Sequence, residues 1–179
     1  MPGKIILLNG PSSAGKSTLA RGLQARLQEP FWHVSIDHLL AANMLPRARI
    51  DSGEFSWKTL RPAFFDGFHR ALPALAEAGN NLIVEHIVEN AEWMARLHRL
   101  LGHLDVFFVG LHCPLPELER RERERGDRRI GEARADQEVT HTFSAYDFIV
   151  DSSLLPERNV EAIAAAWQLR KPPGALGKA

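Results

Sequence analysis

Residues 7–20, with the sequence LLNGPSSAGKSTLA, contain residue types that suit the binding of a phosphate group. Gly10 is followed, after four residues, by Gly15, Lys16 and Ser17, which is the spacing G-x-x-x-x-G-K-[ST] of a phosphate-binding loop. The glycines permit backbone angles that a side chain would forbid, so successive N–H groups can point at one phosphate. The lysine adds a full positive charge for the outer phosphates, and the serine hydroxyl can bind Mg²⁺.

The surroundings of this loop favour a nucleotide site over a chance turn. The loop follows the continuous apolar run KIILL and precedes a segment with leucines at helical spacing, which is the context that the motif requires. A helix N-terminus at this point adds roughly half a positive charge next to the phosphate. We therefore predict that a nucleotide binds here, with Ser17 as the metal ligand. The predicted nucleotide-binding residues of the loop are Gly10, Pro11, Ser12, Ser13, Ala14, Gly15, Lys16, Ser17 and Thr18.

Two carboxylates that follow predicted strands are candidates for binding the acceptor of the phosphate. Asp37 comes directly after the run FWHVSI and could accept the proton of an attacking hydroxyl, or help to hold Mg²⁺ through water. Its alternative role is to cap the helix that follows. Glu85 ends the apolar part of NLIVEHIV, where an acid could hold a metal-bound water or bind an acceptor hydroxyl. The alternative for Glu85 is a surface ion pair, and the neighbouring His86 is expected to be a packed or a surface histidine outside the site.

The segment LERRERERGDRRIGEAR, residues 118–134, is the most charged part of the chain. A simple interpretation is a solvated helix with i,i+4 ion pairs. Arg121, Arg125 and Arg128, however, recur on one side, and two glycines bracket a hinge-like stretch. This pattern favours an arginine-rich lid of about residues 118–136 that closes on phosphates. Arg121 and Arg125 are thus predicted to bind the nucleotide, and the predicted catalytic residues are Lys16, Asp37, Arg125 and Arg128.

The elements that must position these groups are strands alternating with helices. The pattern predicts an α/β fold of three layers, with a five-stranded, mainly parallel sheet and helices on both faces. In such sheets ligands bind at the carboxyl ends of the strands, which is where the candidate groups fall. The predicted strands are 4–8, 31–36, 81–88, 104–113 and 146–151. The predicted helices are 16–28, 38–45, 58–79, 90–102, 114–125 and 156–170, with 58–79 kinked or broken by prolines and 46–57 an irregular loop.

Length and composition place limits on function. The chain has 179 residues, which predicts a single domain over 1–170, and the Pro/Gly-rich end 171–179 is expected to be a flexible tail. Lys and Arg number 22 and Asp and Glu also 22, and this zero net charge argues against a dedicated nucleic-acid or anionic-membrane binder. The chain has one cysteine, no signal-peptide pattern and no apolar run long enough to span a membrane, so we expect a cytoplasmic protein. From the candidate catalytic groups, we expect its partner to be a small-molecule hydroxyl acceptor.

Four stretches together resemble the chloramphenicol phosphotransferase family: ILLNGPSSAGKST, the aspartate of VSIDHLL, RERERGDRRIGEARADQEVTH and YDFIVDSS. The resemblance implies a P-loop kinase fold and ATP-dependent phosphorylation of a hydroxyl on a small antibiotic such as chloramphenicol. It implies that Lys16 and Ser17 bind ATP and Mg²⁺, that Asp37 is the general base, and that the lid arginines contact the nucleotide. A homodimer is a further expectation from the family. Pro11 and Glu85 depart from it, standing where the antibiotic kinase has glycine and aspartate.

Other functions remain open from the residues alone. The acceptor segment 45–70 matches no pattern, so the acceptor could equally be another metabolite or a nucleotide sugar. A non-catalytic ATP-binding regulator is a different class of protein. The chain has no N-K-x-D guanine signature, and a base-like aspartate with an arginine lid suits phosphate transfer better than signalling.

Overall fold

The structure is a computed structural model, and it describes residues 1–126 and 130–177. Five parallel strands form one sheet in the order β2–β3–β1–β4–β5. The strands are β1 (Ile5–Asn9), β2 (Phe31–Ser35), β3 (Asn81–His86), β4 (Val106–His112) and β5 (Phe148–Asp151). The predicted parallel sheet is confirmed, and every pairing in it is parallel.

Helices cover both faces of this sheet. They are α1 (Lys16–Arg26), α2 (Ile36–Ala41), α3 (Arg47–Asp51), α4 (Trp57–Glu77), α5 (Ala91–Leu101), α6 (Leu115–Arg125), α7 (Glu132–Thr140) and α8 (Pro156–Leu169), with a 3₁₀ turn at Ala175–Gly177. In the part of the chain that the structure describes, no helix has both the length and the apolar character needed to cross a membrane.

The side chains of the central strand β1 contribute to the core on both sides of the sheet. Its side chains alternate between the faces, as the period of two of a strand requires. Ile6 and Leu8 join the core cluster that α1 and α8 complete, whereas Ile5 and Leu7 join the cluster beneath α4 and α5. All four are fully buried, which is why this strand reads as an unbroken apolar run.

The structure differs from the sequence prediction in four segments. The predicted loop 46–57 contains the short helix α3, and residues 132–140 form α7, which the charge pattern of the predicted lid had hidden. Helix α4 runs through Pro62 and Pro73 without the break that was one of the two predicted outcomes. The described part of the expected flexible tail, 171–177, packs on the core, because Leu176 is buried against the face that holds α5.

Candidate active site

A cleft of about 1360 Å³ lies at the carboxyl ends of the strands, around the loop between β1 and α1. It brings together groups that are far apart in the sequence. The predicted site residues that line it are Ser12, Ser13, Ala14, Gly15, Lys16, Ser17, Thr18, Asp37, Glu85, Arg121 and Arg125. Arg128, which was predicted to be catalytic, lies outside the described residues.

The two glycines of the loop have different physical roles. Gly15 has a φ angle of 84°, in the left-handed region that a side chain disfavours, and it directly precedes the first residue of α1. Gly10 does not have a positive φ, so the prediction that it supplies an unusual backbone angle is wrong. A side chain at Gly10 would instead meet Leu111 of β4, whose Cβ would lie 2.9 Å from the new Cβ. Gly10 therefore allows the loop to pass close to the neighbouring strand.

Lys16 is folded onto its own loop. Its Nζ donates to the carbonyl oxygens of Gly10 and Pro11, at 2.7 and 2.8 Å. Phosphate oxygens carry more negative charge than peptide carbonyls and form stronger hydrogen bonds with an ammonium group. Among the described residues, the buried hydroxyl of Ser13 in the same loop has no hydrogen-bond partner. Both observations fit a loop built to receive an anion.

Glu85 and Ser17 meet inside the cleft. The Ser17 hydroxyl, at the first turn of α1, donates to Oε2 of Glu85 over 2.9 Å. The other carboxylate oxygen, Oε1, bonds to Nε2 of His33 on the adjacent strand β2. The Glu85 side chain is only 8% exposed, so the interpretation of Glu85 as a surface ion-pair residue is wrong.

The ionisation of Glu85 follows from these contacts. Burial raises the pKa of this carboxyl, but the hydrogen bonds from His33 and Ser17 and the charge of Lys16 lower it by more. The net pKa of Glu85 is therefore below its ordinary value. The side chain is held as a carboxylate next to the serine hydroxyl.

These two oxygen donors fit Mg²⁺. The ion prefers hard oxygen ligands and is usually held by one or two protein groups together with substrate phosphates and water. Within residues 1–126 and 130–177, no cluster of three or more His, Cys, Asp or Glu side chains forms a metal cage. A metal bound at Ser17 and Glu85 would therefore take most of its ligands from phosphates and water.

Asp37 lies in the first turn of α2 and lines the same cleft. The N-cap of α2 is Ser35, whose hydroxyl accepts a hydrogen bond from the backbone N–H of His38 over 3.1 Å. The interpretation of Asp37 as the cap is therefore wrong. Because Ser35 caps the helix, the exposed carboxylate of Asp37 can face the cleft.

The strand order divides the cleft into two halves around the phosphate loop. On the side of β4 and β5, the lining comes from α6, α7 and the β5–α8 loop, and we call this the nucleotide half. The Arg121 side chain is held in one position in this half, because its Nη2 donates to the Ser152 carbonyl over 2.8 Å and its Nε donates to Glu117 over 2.7 Å. The guanidinium of Arg121 also lies next to Gly15, 3.8 Å from where a Cβ would be.

On the side of β2 and β3, the lining comes from α2, α3, α4 and the segment after β3, and we call this the acceptor half. Of the aromatic residues that follow Asp37, the cleft lining includes Trp57 and Phe65. Arg61 lies over the Phe65 ring at 4.5 Å and donates to Glu89 over 2.5 Å. The acceptor half thus combines apolar and aromatic walls with an arginine that is already paired.

His86 closes the floor of the acceptor half, although the sequence analysis left it out of the site. Of the two alternatives it is the packed histidine, 4% exposed, and its Nε2 lies 2.7 Å from Nε2 of the buried His69 on α4. Burial lowers the pKa of His69 to about 4 and that of His86 well below its ordinary value. Both rings are therefore neutral, and the N–H of one ring donates a hydrogen bond to the unprotonated nitrogen of the other.

Sequence reasoning missed two further groups at the site, His33 and Asp136. Asp136 lies on α7, and its Oδ2 accepts a hydrogen bond from the Ser12 backbone N–H of the phosphate loop over 2.9 Å. His33 reaches Glu85 across the β2–β3 pairing. No local spacing indicates either contact, because the partners are 124 and 52 residues apart.

Comparison with known proteins is consistent with this geometry. Residues 3–168 match the family described as chloramphenicol phosphotransferase-like protein. A Mycobacterium tuberculosis protein named "Putative O-phosphotransferase Rv2636" is 33% identical over 175 residues, which cover 86% of this chain and 77% of the relative. The same values hold for its counterpart in another strain of that organism.

Solved structures show the same fold at lower identity. The APS kinase CysC of M. tuberculosis, in complex with AMPPNP and APS, superposes with a TM-score of 0.69 at 19% identity, over 93% of this chain and 98% of the other. The tunicamycin resistance protein of Deinococcus radiodurans superposes with a TM-score of 0.65 at 22% identity, over 96% and 99%. Shikimate kinase from Aquifex aeolicus gives a TM-score of 0.60 at 20% identity, over 92% and 96%.

Proposed function

The chain belongs to the chloramphenicol phosphotransferase-like family, with the P-loop kinase fold, and we propose that it transfers the γ-phosphate of Mg-ATP to a hydroxyl of a small molecule. The observation that carries this proposal is the position of the phosphate loop between the two halves of one cleft. Arginines flank the loop on the nucleotide half, and a carboxylate and aromatic rings lie on the acceptor half. That arrangement suits transfer between two bound substrates.

The proposed reaction needs one base and several positive groups. Asp37 accepts the proton of the acceptor hydroxyl while that oxygen attacks the γ-phosphorus and the bond to the β–γ bridging oxygen breaks, releasing ADP. Lys16 turns from its loop carbonyls to the phosphates, and the loop N–H groups hold them in place. Ser17 and Glu85 would hold Mg²⁺, which would supply charge neutralisation for the phosphates. Arg121 and Arg125 add further positive charge on the nucleotide half.

The acceptor half supports a particular kind of hydroxyl compound. Its apolar and aromatic lining can bury a ring or an alkyl group. Of its arginines, Arg61 bonds to Glu89 at 2.5 Å, whereas Arg47 is an exposed residue 3.9 Å from Asp51. An acceptor that binds through a negative charge at Arg61 would have to displace Glu89. We therefore propose an uncharged acceptor with an apolar part, such as chloramphenicol.

The experiment that tests this function is a product assay over a panel of acceptors. The purified protein is incubated with Mg-ATP and, separately, chloramphenicol, tunicamycin, APS and gluconate, with a no-acceptor control. Product mass and ADP are measured together. We expect chloramphenicol or another uncharged compound to gain one phosphate, about 80 Da, in step with ADP formation.

Two results would change the account in different ways. If an anionic compound is phosphorylated and chloramphenicol is not, the chain is a kinase of another metabolite, and the Arg61–Glu89 pair does not exclude anionic acceptors. If ATP binds but no member of a broad hydroxyl panel is phosphorylated, the alternative of a nucleotide-binding regulator is favoured.

A further inference from the structure

His33, Glu85 and Ser17 form a continuous chain of hydrogen bonds that ends at the phosphate loop. The histidine ring bonds to one carboxylate oxygen of Glu85, and the serine hydroxyl donates to the other over 2.9 Å. The side chains of His33 and Glu85 are 9% and 8% exposed. The arrangement is therefore largely shielded from water, which would otherwise compete for the carboxylate oxygens.

The sheet register explains how His33 reaches this position. Strands β2 and β3 are parallel, with Ser35 opposite Glu85 and His33 opposite Ile83. Residues two apart on a strand share a face. His33 therefore lies on the same face as Glu85, opposite a residue two positions before Glu85 on β3. Helix α1 packs on that face, which brings Ser17 to the opposite side of the carboxylate.

We propose that His33 is a positioning residue, which orients the Glu85 carboxylate towards the metal position beside Ser17. The proposal rests on the proposed function, because it assumes that Mg²⁺ accompanies the nucleotide. His33 is not among the described residues that line the cleft, so it acts through Glu85 and touches neither substrate. Side chains that hold a metal-binding group in one orientation commonly change metal affinity by about 10- to 100-fold when they are removed.

The physical reason is the number of orientations that are open to the carboxylate. A glutamate at the end of a strand has three side-chain torsions, and a hydrogen bond to one oxygen removes most of that freedom. When the serine hydroxyl turns to a metal, His33 remains as the partner that keeps Glu85 from turning away. Without the histidine, the buried carboxylate would also lose one of the bonds that offset its desolvation.

The test compares two substitutions of the same residue. His33→Gln keeps an N–H donor at nearly the reach of the histidine Nε2, whereas His33→Leu keeps volume and removes the donor. Trp32→Leu, which changes an exposed side chain of the same strand, is the control for a general effect on β2. Mn²⁺ affinity of each protein–ADP complex is measured by electron paramagnetic resonance, and ADP affinity is measured separately without metal.

We expect His33→Leu to weaken Mn²⁺ binding by about 10- to 100-fold while metal-free ADP affinity stays within about threefold of wild type. His33→Gln and Trp32→Leu should stay close to wild type. Added to Glu85→Gln, His33→Leu should have little further effect, because both changes act on one carboxylate. If the leucine variant does not fold, His33→Asn takes its place, since the shorter amide cannot reach Glu85.

Three outcomes would overturn the proposal. Unchanged Mn²⁺ affinity in His33→Leu would show that the histidine does not orient Glu85. Equal losses of Mn²⁺ and metal-free ADP binding in both His33 variants would show a merely structural role. A wild-type protein that binds ADP but no Mn²⁺ would remove the metal site, and with it the Mg-ATP part of the proposed function. Failure of phosphate transfer alone would leave the positioning result standing.

Discussion

Asp37 is the side chain on which the proposed chemistry depends most directly. Its carboxylate lines the cleft, and Ser35, two residues earlier, is the N-cap of α2. A carboxylate that aims the attacking hydroxyl and accepts its proton affects the transition state much more than it affects nucleotide binding. The role of Asp37 can therefore be separated from that of the phosphate loop by measuring turnover and ATP affinity independently.

We predict that Asp37→Asn lowers kcat by about 10²- to 10⁴-fold, the usual contribution of a general base, and leaves ATP affinity within about threefold of wild type. Asparagine keeps the size and removes the negative charge. Turnover with the acceptor found in the panel and calorimetric titration with ATP provide the two measurements. Glu92→Gln, an exposed change on α5 outside the cleft lining, is the control. Full activity in Asp37→Asn would rule out Asp37 as the base.

These residues can be predicted when their role shows in neighbouring sequence positions, and not when it comes from a contact with a distant segment of the chain. The phosphate loop is a local spacing, and Asp37 and Glu85 each follow an apolar run, so the sequence alone indicates all three. His33 looked like an ordinary strand residue, because its role comes from the neighbouring strand β3. The interpretation of Asp37 as a helix cap was wrong for a similar reason: the sequence analysis considered only Asp37 as the cap, and the backbone geometry places Ser35 at that position.

At the scale of elements, helix α7 is the part of the site that sequence reasoning described least well. Its first part, residues 132–136, was expected to belong to an arginine-rich lid, and the structure shows residues 132–140 as a helix. Glu122 of α6, 1% exposed, accepts hydrogen bonds from the Gly131 and Ala133 N–H groups, each over 2.8 Å. Those bonds lower the pKa of Glu122. Side-chain identity at 122 therefore decides how α7 begins.

We predict that Glu122→Ala destabilises the protein by about 1–2 kcal/mol, because two helix N–H groups lose their acceptor. It should also weaken ADP binding, since α7 carries the Asp136 contact to the phosphate loop. Glu122→Gln, which keeps one carbonyl acceptor, should lose less. Denaturant unfolding, calorimetry and amide exchange over residues 130–140 provide the measurements.

Glu124→Ala is the matched control for this prediction, because Glu124 is exposed on the same helix and pairs with Arg120 on the surface. It should change stability by no more than about 0.5 kcal/mol. Slow amide exchange in α7 of Glu122→Ala, equal to that of the wild type, would contradict the role assigned to Glu122.

At the scale of the whole molecule, the buried pair His69 and His86 makes stability depend on pH. Burial holds the pKa of His69 at about 4, against 6.5 in the unfolded chain. The folded-state pKa is lowered, so the neutral form is the one that the fold favours. This contribution is complete above pH 6.5 and is lost as pH falls from 6.5 towards 4.

We predict that the unfolding free energy decreases by about 2 kcal/mol between pH 7.5 and pH 5 through His69 alone. His69→Gln cannot titrate and can still bond to His86, so its stability should decrease less over the same range. Denaturant unfolding at a series of pH values measures the difference. His103→Gln, a surface histidine change beside Glu77, should keep the full dependence. Identical pH dependence in wild type and His69→Gln would contradict the argument.

At this scale the fold could be predicted from the alternation of strands with helices and from the apolar runs of the buried strands. Continuous apolar runs separated by helical periods predicted a parallel sheet covered on both faces, and the strand order places every predicted site residue that the structure describes around the carboxyl ends. The lining of the acceptor half could not be predicted from the sequence. Helices α3 and α4 contain no recognised motif, and tertiary packing decides which of their residues face the cleft. The identity of the proposed acceptor therefore does not follow from the sequence.

The most direct measurement of the central claim follows the γ-phosphate itself. The protein is incubated with ATP carrying ¹⁸O on the γ-phosphate and with the acceptor that the panel identifies, starting with chloramphenicol, and the products are analysed by mass spectrometry. Direct transfer predicts an acceptor heavier by about 86 Da, since three labelled oxygens move with the phosphorus. Recovery of all the label as inorganic phosphate, whatever hydroxyl compound is supplied, would contradict the account.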